Sequence, residues 1–164
     1  MDLYILRHGI AEEVNESGHD RDRMLTEEGI EKTRAAGKAL RKLNLQFDAI
    51  LTSPFARARQ TAEIVAEELD ATNLLHLVDE LSADSSTVRA LAGLQKAIRK
   101  HVSVLVVGHE PILSELISLL LCGSPKLSIT MKKGGFCKLY CARPEPGTAR
   151  LDWLLSPKHF CRMA

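Results

Sequence analysis

Arg7-His8-Gly9 follows directly on the apolar run Leu3-Tyr4-Ile5-Leu6. A run of that length and setting reads as a buried strand, and a glycine after it lets the chain turn so that His8 lies at the rim of a sheet. A neutral imidazole is a competent nucleophile toward phosphorus, and the Arg7 guanidinium has the fork geometry that suits phosphate oxygens. Taken alone, the tripeptide is equally a surface histidine at a strand end. Two further segments repeat the pattern. In Ala49-Ile50-Leu51-Thr52-Ser53-Pro54 a second apolar run stops at a proline, and Arg57 and Arg59 follow in the first turns of a helix. Unpaired N–H groups and the helix dipole favour an anion there. In Val102-Ser103-Val104-Leu105-Val106-Val107-Gly108-His109-Glu110-Pro111, a strongly β-branched run ends at His109, and Pro111 opens another helix.

Three strand-then-helix units of this kind imply an open α/β sheet. With right-handed crossovers the carboxyl ends of its strands face one way, and ligands bind in the crevice outside them. His8, Arg57 and His109 therefore converge on one site. Helices are expected over 27–42, with Thr26 as N-cap, and over 55–69, burying Phe55, Ala58, Ala62, Val65, Ala66 and Leu69. Two more are expected over 84–100, with Val88, Leu91, Leu94 and Ile98 on the buried stripe, and over 112–121. Residues 136–142 and 149–155 have a period of two and flank the turn-forming stretch 143–147, which predicts an antiparallel hairpin at the sheet's edge. The expected architecture is a three-layer α/β/α sandwich with a mostly parallel central sheet, one domain over residues 1–164. One Trp, two Tyr and four Phe leave Leu, Ile, Val and Ala to build the core. Segments 18–23, 70–73 and 82–86 are too short for a large cap insertion, so the site should be open and shallow.

Four segments carry a resemblance: Leu6-Arg7-His8-Gly9-Ile10-Ala11, Asp22-Arg23-Met24-Leu25-Thr26-Glu27-Glu28-Gly29, Thr52-Ser53-Pro54-Phe55-Ala56-Arg57-Ala58-Arg59-Gln60-Thr61-Ala62 and Val107-Gly108-His109-Glu110-Pro111. In order and spacing they resemble the histidine phosphatase superfamily, also called phosphoglycerate mutase-like, and within it the SixA-type phosphohistidine phosphatases. The resemblance implies a phosphoglycerate mutase-like fold with His8 as the nucleophile that becomes phosphorylated. It implies Arg7, Arg57 and His109 as the phosphate pocket, Glu80 in the place of a proton-donating glutamate, and Arg23 as a substrate-orienting residue at the pocket mouth. Met24 departs from the pattern, because relatives often have proline there.

Chemistry independently suits these roles. Phosphoryl transfer needs in-line attack and charge stabilisation on the equatorial oxygens, which two guanidinium groups and an imidazole supply without a metal. His8 must be neutral to attack, and the adjacent arginines should lower its pKa below the usual 6.5. Water then hydrolyses the phosphohistidine intermediate, and either Glu80 or water protonates the leaving group. Blander readings accompany several residues. Glu80 is also a loop carboxylate before a helix, Arg23 a surface partner of Asp20 or Asp22, and Arg59 a partner of Glu63. Glu110 is a helix-start charge, and Lys132 and Lys133 form a solvated basic turn.

The expected function is a metal-independent phosphatase acting on the phosphohistidine of a signalling protein, such as a histidine-containing phosphotransfer domain, because an uncapped site admits a folded protein. The alternatives are a phosphatase for a small phosphorylated metabolite or a phosphoserine protein, and a non-catalytic phosphoprotein-binding module. No cofactor is implied. His109-Glu110 lacks a second histidine four residues on, and the other histidines are isolated, so no metal site is expected. Ser53 lacks the glycine elbow of a serine nucleophile. A formal net charge of +1 and the lack of a basic stripe with aromatics argue against nucleic acid. No leader is evident, and no apolar stretch is long enough to span a membrane, so a cytoplasmic enzyme is expected. Cys122, Cys137, Cys141 and Cys161 are then reduced. Cys137 and Cys141 would lie about 13 Å apart on a strand and serve packing.

Overall fold

Leu3 and Ile5 pack on one side of the first strand, β1 (Asp2–Arg7), and Tyr4 and Leu6 on the other, all four buried. A strand buried on both faces needs an unbroken apolar run, and this is why the run before Arg7 shows no alternation. The computed structural model describes residues 1–14, 16–98, 101–160 and 162. After β1 come α1 (Glu27–Lys42), β2 (Ala49–Thr52), α2 (Ala56–Glu68), β3 (Leu75–Leu77) and α3 (Thr87–Ala97). Then follow β4 (Ser103–Gly108), α4 (Ile112–Cys122), β5 (Phe136–Tyr140), β6 (Arg150–Leu155) and α5 (Pro157–Phe160).

The strands form one six-stranded sheet in the order β3-β2-β4-β1-β5-β6. β3, β2, β4 and β1 run parallel; β5 is antiparallel to β1, and β6 to β5. Residues of α1 and α2 pack over one face, in a cluster with Tyr4, Leu6, Ile50, Leu105 and Val107. Residues of α3 and α4 cover the other, with Leu3, Ile5, Leu51, Val104 and Val106. The result is the expected three-layer sandwich with an antiparallel edge hairpin and, among the described residues, no large cap insertion. The Thr26 side chain caps α1 by accepting the Gly29 N–H at 3.1 Å, which satisfies a donor that a helix start would leave orphaned.

Three details differ from expectation. Val88 is 73% exposed. α3 begins at Thr87, and its buried stripe runs through Thr87, Ala90, Leu91 and Leu94, so Val88 falls about 100° off the stripe's first residue. Residues 99 and 100 of the helix expected over 84–100, like Cys161, lie outside the described residues. The three-residue strand β3 was not anticipated, since so short a segment carries no periodicity and is made a strand by the free edge of β2. Finally, aliphatic residues do build one cluster, but Tyr4, Phe47, Phe136 and Trp153 pack ring against ring in the other. Cys137 and Cys141 are both buried, and burial pushes the Cys137 thiol up to about 12, as fits a packing role. Among the described residues no helix is long and apolar enough to cross a membrane.

Candidate active site

The adjacent parallel strands β2, β4 and β1 end level with one another, Thr52 beside Val107 and Arg7 beside Gly108. Hydrogen bonding continues one step beyond the strands: His8 N–H donates to the Gly108 carbonyl at 3.1 Å and Ser53 N–H to the Val107 carbonyl at 3.2 Å. The chain segments carrying His8, Ser53 and His109 are thus anchored side by side. The rings of His8 and His109 lie 5.1 Å apart between centroids, tilted by 53°, and both residues are buried.

The loop after His8 is clamped by two helices. Gly9 N–H donates to Thr61 Oγ1 at 3.1 Å, and the same hydroxyl donates to the Arg57 carbonyl at 2.7 Å. A Cβ on Gly29 would fall 2.0 Å from the Ile10 carbonyl oxygen, and one on Gly9 2.7 Å from Thr33 Oγ1. Only glycine lets α1 approach the loop so closely. These contacts hold α1 and α2 against the histidine and bring Arg57, in the first turn of α2, to the same edge.

His8 Nδ1 lies 2.8 Å from the Gly9 carbonyl. A carbonyl only accepts, so Nδ1 carries the proton and Nε2 of the neutral ring keeps its lone pair. The imidazole is held neutral, its pKa lowered to about 3, chiefly by burial, with Arg57, Arg7 and Lys133 adding to the effect and the Gly9 bond opposing it. Burial therefore outweighs the neighbouring arginines that the sequence pointed to. His109 is lowered to about 3 as well, by burial first and then by His8, Arg57 and Arg7, against the pull of Asp20. Its Nε2 is 2.9 Å from Ser53 Oγ, which also accepts the Phe55 N–H at 3.2 Å. The Ser53 hydroxyl can donate to His109 Nε2, and in that tautomer Nδ1 of His109 bears the ring proton.

Arg7 Nη1 donates to the Met131 carbonyl at 2.7 Å. Its Nε and the Nδ1 of His109 are buried without a hydrogen-bond partner among the described residues. An unpaired buried donor costs about 1–3 kcal/mol, and Arg7 Nε, joined by His109 Nδ1 in the tautomer that protonates it, suits an oxyanion beside the neutral His8 imidazole. Arg57 is almost fully buried and donates from Nη1 to the Asp20 carbonyl at 2.6 Å and from Nη2 to Asp20 Oδ2 at 2.9 Å. The Phe55 ring packs against both the His109 ring and the Arg57 guanidinium. Arg23 donates to Asp20 Oδ1 at 2.7 Å and to the Glu12 carbonyl at 2.5 Å. Burial raises the Asp20 carboxyl, but the hydrogen bonds and charges of Arg23 and Arg57 outweigh it and hold the group below the ordinary carboxylate range.

The structure thus brings Arg7, His8, Arg57 and His109 together, with Arg23 joined to them through Asp20. Glu80 stands elsewhere. Its side chain runs along Gly93 of α3, where an added Cβ would meet Glu80 Cβ at 2.6 Å and its carboxyl carbon at 3.2 Å, in a separate cleft with His76, Arg89 and Lys96. Glu110 accepts the Ser114 N–H at 3.1 Å, a helix-start contact, and Arg59 pairs with Glu63 on the surface. Residues missed by sequence reasoning are those that hold others in place: Asp20, Ser53, Thr61, Phe55 and the Met131 carbonyl. In the sequence Ser53 reads as a turn residue and not as a nucleophile, and Asp20 as a surface partner of Arg23, because their contacts to His109 and Arg57 link segments far apart in the chain.

A mixed α/β sheet here gathers two neutral imidazoles and two guanidinium groups at one strand edge, a set whose chemistry suits a phosphoryl group. The chain belongs to the histidine phosphatase superfamily, whose branch 1 model matches residues 3–82, and it is a phosphatase of that class. Within the superfamily it is SixA-like. Phosphohistidine phosphatase SixA of Escherichia coli K12 is 29% identical over 158 residues, 96% of this chain and 94% of that protein. A solved structure of the protein histidine phosphatase SixA complexed with tungstate superposes with a TM-score of 0.79 at 28% identity, covering 97% of this chain and 99% of the other. An uncharacterized protein of Picosynechococcus sp. is 36% identical over 154 residues, 93% of this chain and 89% of its own length.

Proposed function

We propose that the protein hydrolyses phosphohistidine on a phosphorylated partner protein, with His8 carrying the phosphoryl group between substrate and water. The Nε2 lone pair of His8 attacks phosphorus as the N–P bond of the substrate breaks. The substrate imidazole, protonated on its other nitrogen, leaves as a neutral ring. Arg7, Arg57 and the Nδ1–H of His109 stabilise the three equatorial oxygens, while Arg23 orients the substrate. The Gly9 carbonyl, accepting from Nδ1, stabilises the imidazolium character that His8 gains on phosphorylation. Water then attacks phosphorus, the bond to His8 breaks, and the hydrogens of the water leave with inorganic phosphate.

The observation that carries this choice of substrate is that the candidate carboxylates are engaged with other groups or lie along a different element. An ester substrate expels an alkoxide that needs a proton, whereas a protonated phosphoimidazole needs none. Asp20 is kept ionised by two arginines, Glu110 is engaged at the start of α4, and Glu80 lies along α3. A site so arranged favours a labile N–P bond over a phosphate ester. That the described residues include no large cap insertion supports a protein-borne substrate, and the names of the SixA relatives agree with both.

The test is turnover of a phosphohistidine-bearing phosphotransfer domain beside a phosphoserine peptide and a panel of phosphorylated metabolites, for the wild type and His8→Ala. A higher kcat/KM on the phosphotransfer domain, abolished by His8→Ala, is expected. Faster turnover of an ester would support the metabolite or phosphoserine alternative, and binding without turnover would support the binding-module alternative.

A further inference from the structure

Beside Arg7 opens a second cleft of about 850 Å³ whose walls carry Arg7, Lys32, Lys132, Lys133, Lys158 and His159, and whose remaining lining residues are neutral. The cationic character is local, since the whole chain has 22 Lys and Arg against 21 Asp and Glu. It is also built into the fold. Gly134 N–H lies 3.1 Å from both the Arg7 and the His8 carbonyls, and Arg7 N–H donates to the Gly135 carbonyl at 3.0 Å. The turn bearing Lys132 and Lys133 is therefore bound backbone to backbone to the nucleophile's own segment. Gly134 has a φ of +73°, a conformation that side chains disfavour, so the turn depends on glycine. Its proximity is electrical as well, because Lys133 is among the charges that act on His8. The opposite wall is α5, which follows β6 directly and carries Lys158 and His159.

Lys32 is paired with Glu28 at 2.5 Å. Lys132, Lys133 and Lys158 have no carboxylate within salt-bridge distance among the described residues. One phosphoryl group on His8 is already served by Arg7, Arg57 and His109, so these lysines lie beyond what a single phosphate needs. They come from separate segments and are spread along an open cleft. That arrangement matches several separate negative charges on a surface better than one compact second phosphate.

We propose that this cleft binds acidic side chains flanking the phosphohistidine of the partner protein, and so selects substrates by the charge around the phosphorylated imidazole. The proposal rests on the phosphohistidine reading above and adds a specificity determinant to it. The probes are two synthetic phosphohistidine peptides that differ only in carrying glutamate or glutamine at the positions beside the histidine. For the wild type at low salt, kcat/KM should favour the glutamate peptide by about tenfold or more, and the preference should collapse toward unity in about 0.5 M salt. The Lys132→Glu/Lys158→Glu variant, altered at two exposed positions, should lower the preference by about tenfold at low salt. A wild-type preference near unity at low salt, a preference insensitive to salt, or one untouched by the double substitution would each overturn the cleft's role while leaving phosphohistidine hydrolysis standing. Absence of hydrolysis of either peptide by the wild type would instead overturn the underlying reading.

Discussion

Asp20 occupies the fork of Arg57 with two different groups, its carboxylate Oδ2 2.9 Å from Nη2 and its backbone carbonyl 2.6 Å from Nη1. Two functions are thereby combined in one residue: the backbone carbonyl orients the guanidinium, and the carboxylate offsets its charge. Asp20→Asn keeps an oxygen acceptor for Arg57, removes the charge, and turns the oxygen that accepts from Arg23 into an N–H donor. Inorganic phosphate should then inhibit about three- to tenfold more tightly, the scale expected when a half-exposed ion pair no longer competes with an anion. A weaker inhibition constant in the variant would show that the charge is needed to hold Arg57.

Histidine protonation gives a second prediction. His8 and His109 are both lowered to about 3, so neither ring gains a proton as the pH falls through 6.5. A profile of log kcat/KM against pH on a small phosphoramidate should lack an acid limb with a midpoint near 6.5. An inflection there that disappears on replacing either histidine would contradict the burial of these rings.

Stability must carry the complementary signature. Between pH 6.5 and about 3 the unfolded chain protonates these two histidines and the folded chain does not, so stability is fully present above 6.5 and is lost as the pH falls through this window. The limiting slope is about 1.4 kcal/mol per pH unit for each histidine. Urea unfolding at pH 7.5 and 5.0 should show His8→Asn and His109→Asn each flattening the acid loss relative to the wild type. Equal pH dependence in all three proteins would refute the link.

Thr61 joins the Gly9 N–H to the Arg57 carbonyl through a single hydroxyl that is itself buried. Thr61→Val leaves a buried donor and loses the tie between loop and helix, and should destabilise by about 1–3 kcal/mol. Thr61→Ser, which keeps the hydroxyl, should recover most of this loss together with kcat. Chemical denaturation of the two variants measures the difference; comparable stability of Thr61→Val and wild type would remove Thr61 from the clamp.

Glu80→Gln separates the two classes of leaving group. With Glu80 lying along α3, turnover of a phosphohistidine peptide should change by less than about threefold, well below the 100-fold or more typical of a lost general acid. Parallel kcat measurements on a phosphate ester provide the contrast. A large loss on the phosphohistidine peptide would establish Glu80 as its proton donor.

Much of this architecture was legible in the chain because its signals are local. Apolar runs of strand length, Thr26 before a helical stretch and the period-two segments around 143–147 each reflect the geometry of a few consecutive residues. Those elements in that order leave little choice but a parallel sheet flanked by helices, and they put His8 and His109 at strand ends on the same edge. The exposure of Val88 and the strand at Leu75–Leu77 escaped notice because the first depends on the phase of one helix and the second on a neighbour's free edge.

Residue types, strand ends and the convergence of two histidines with two arginines were thus determined by the sequence itself, through the periodicities of strand and helix and the handedness of their connections. Tertiary structure alone decided which nitrogen of His8 is free, why both rings stay neutral, that Asp20 engages Arg57, and that Glu80 stands apart. It also gathered Lys132, Lys133 and Lys158 from two distant segments into one cleft. Each of these depends on burial and on contacts between residues far apart in the chain, and neither desolvation nor a long-range hydrogen bond leaves a mark on local spacing.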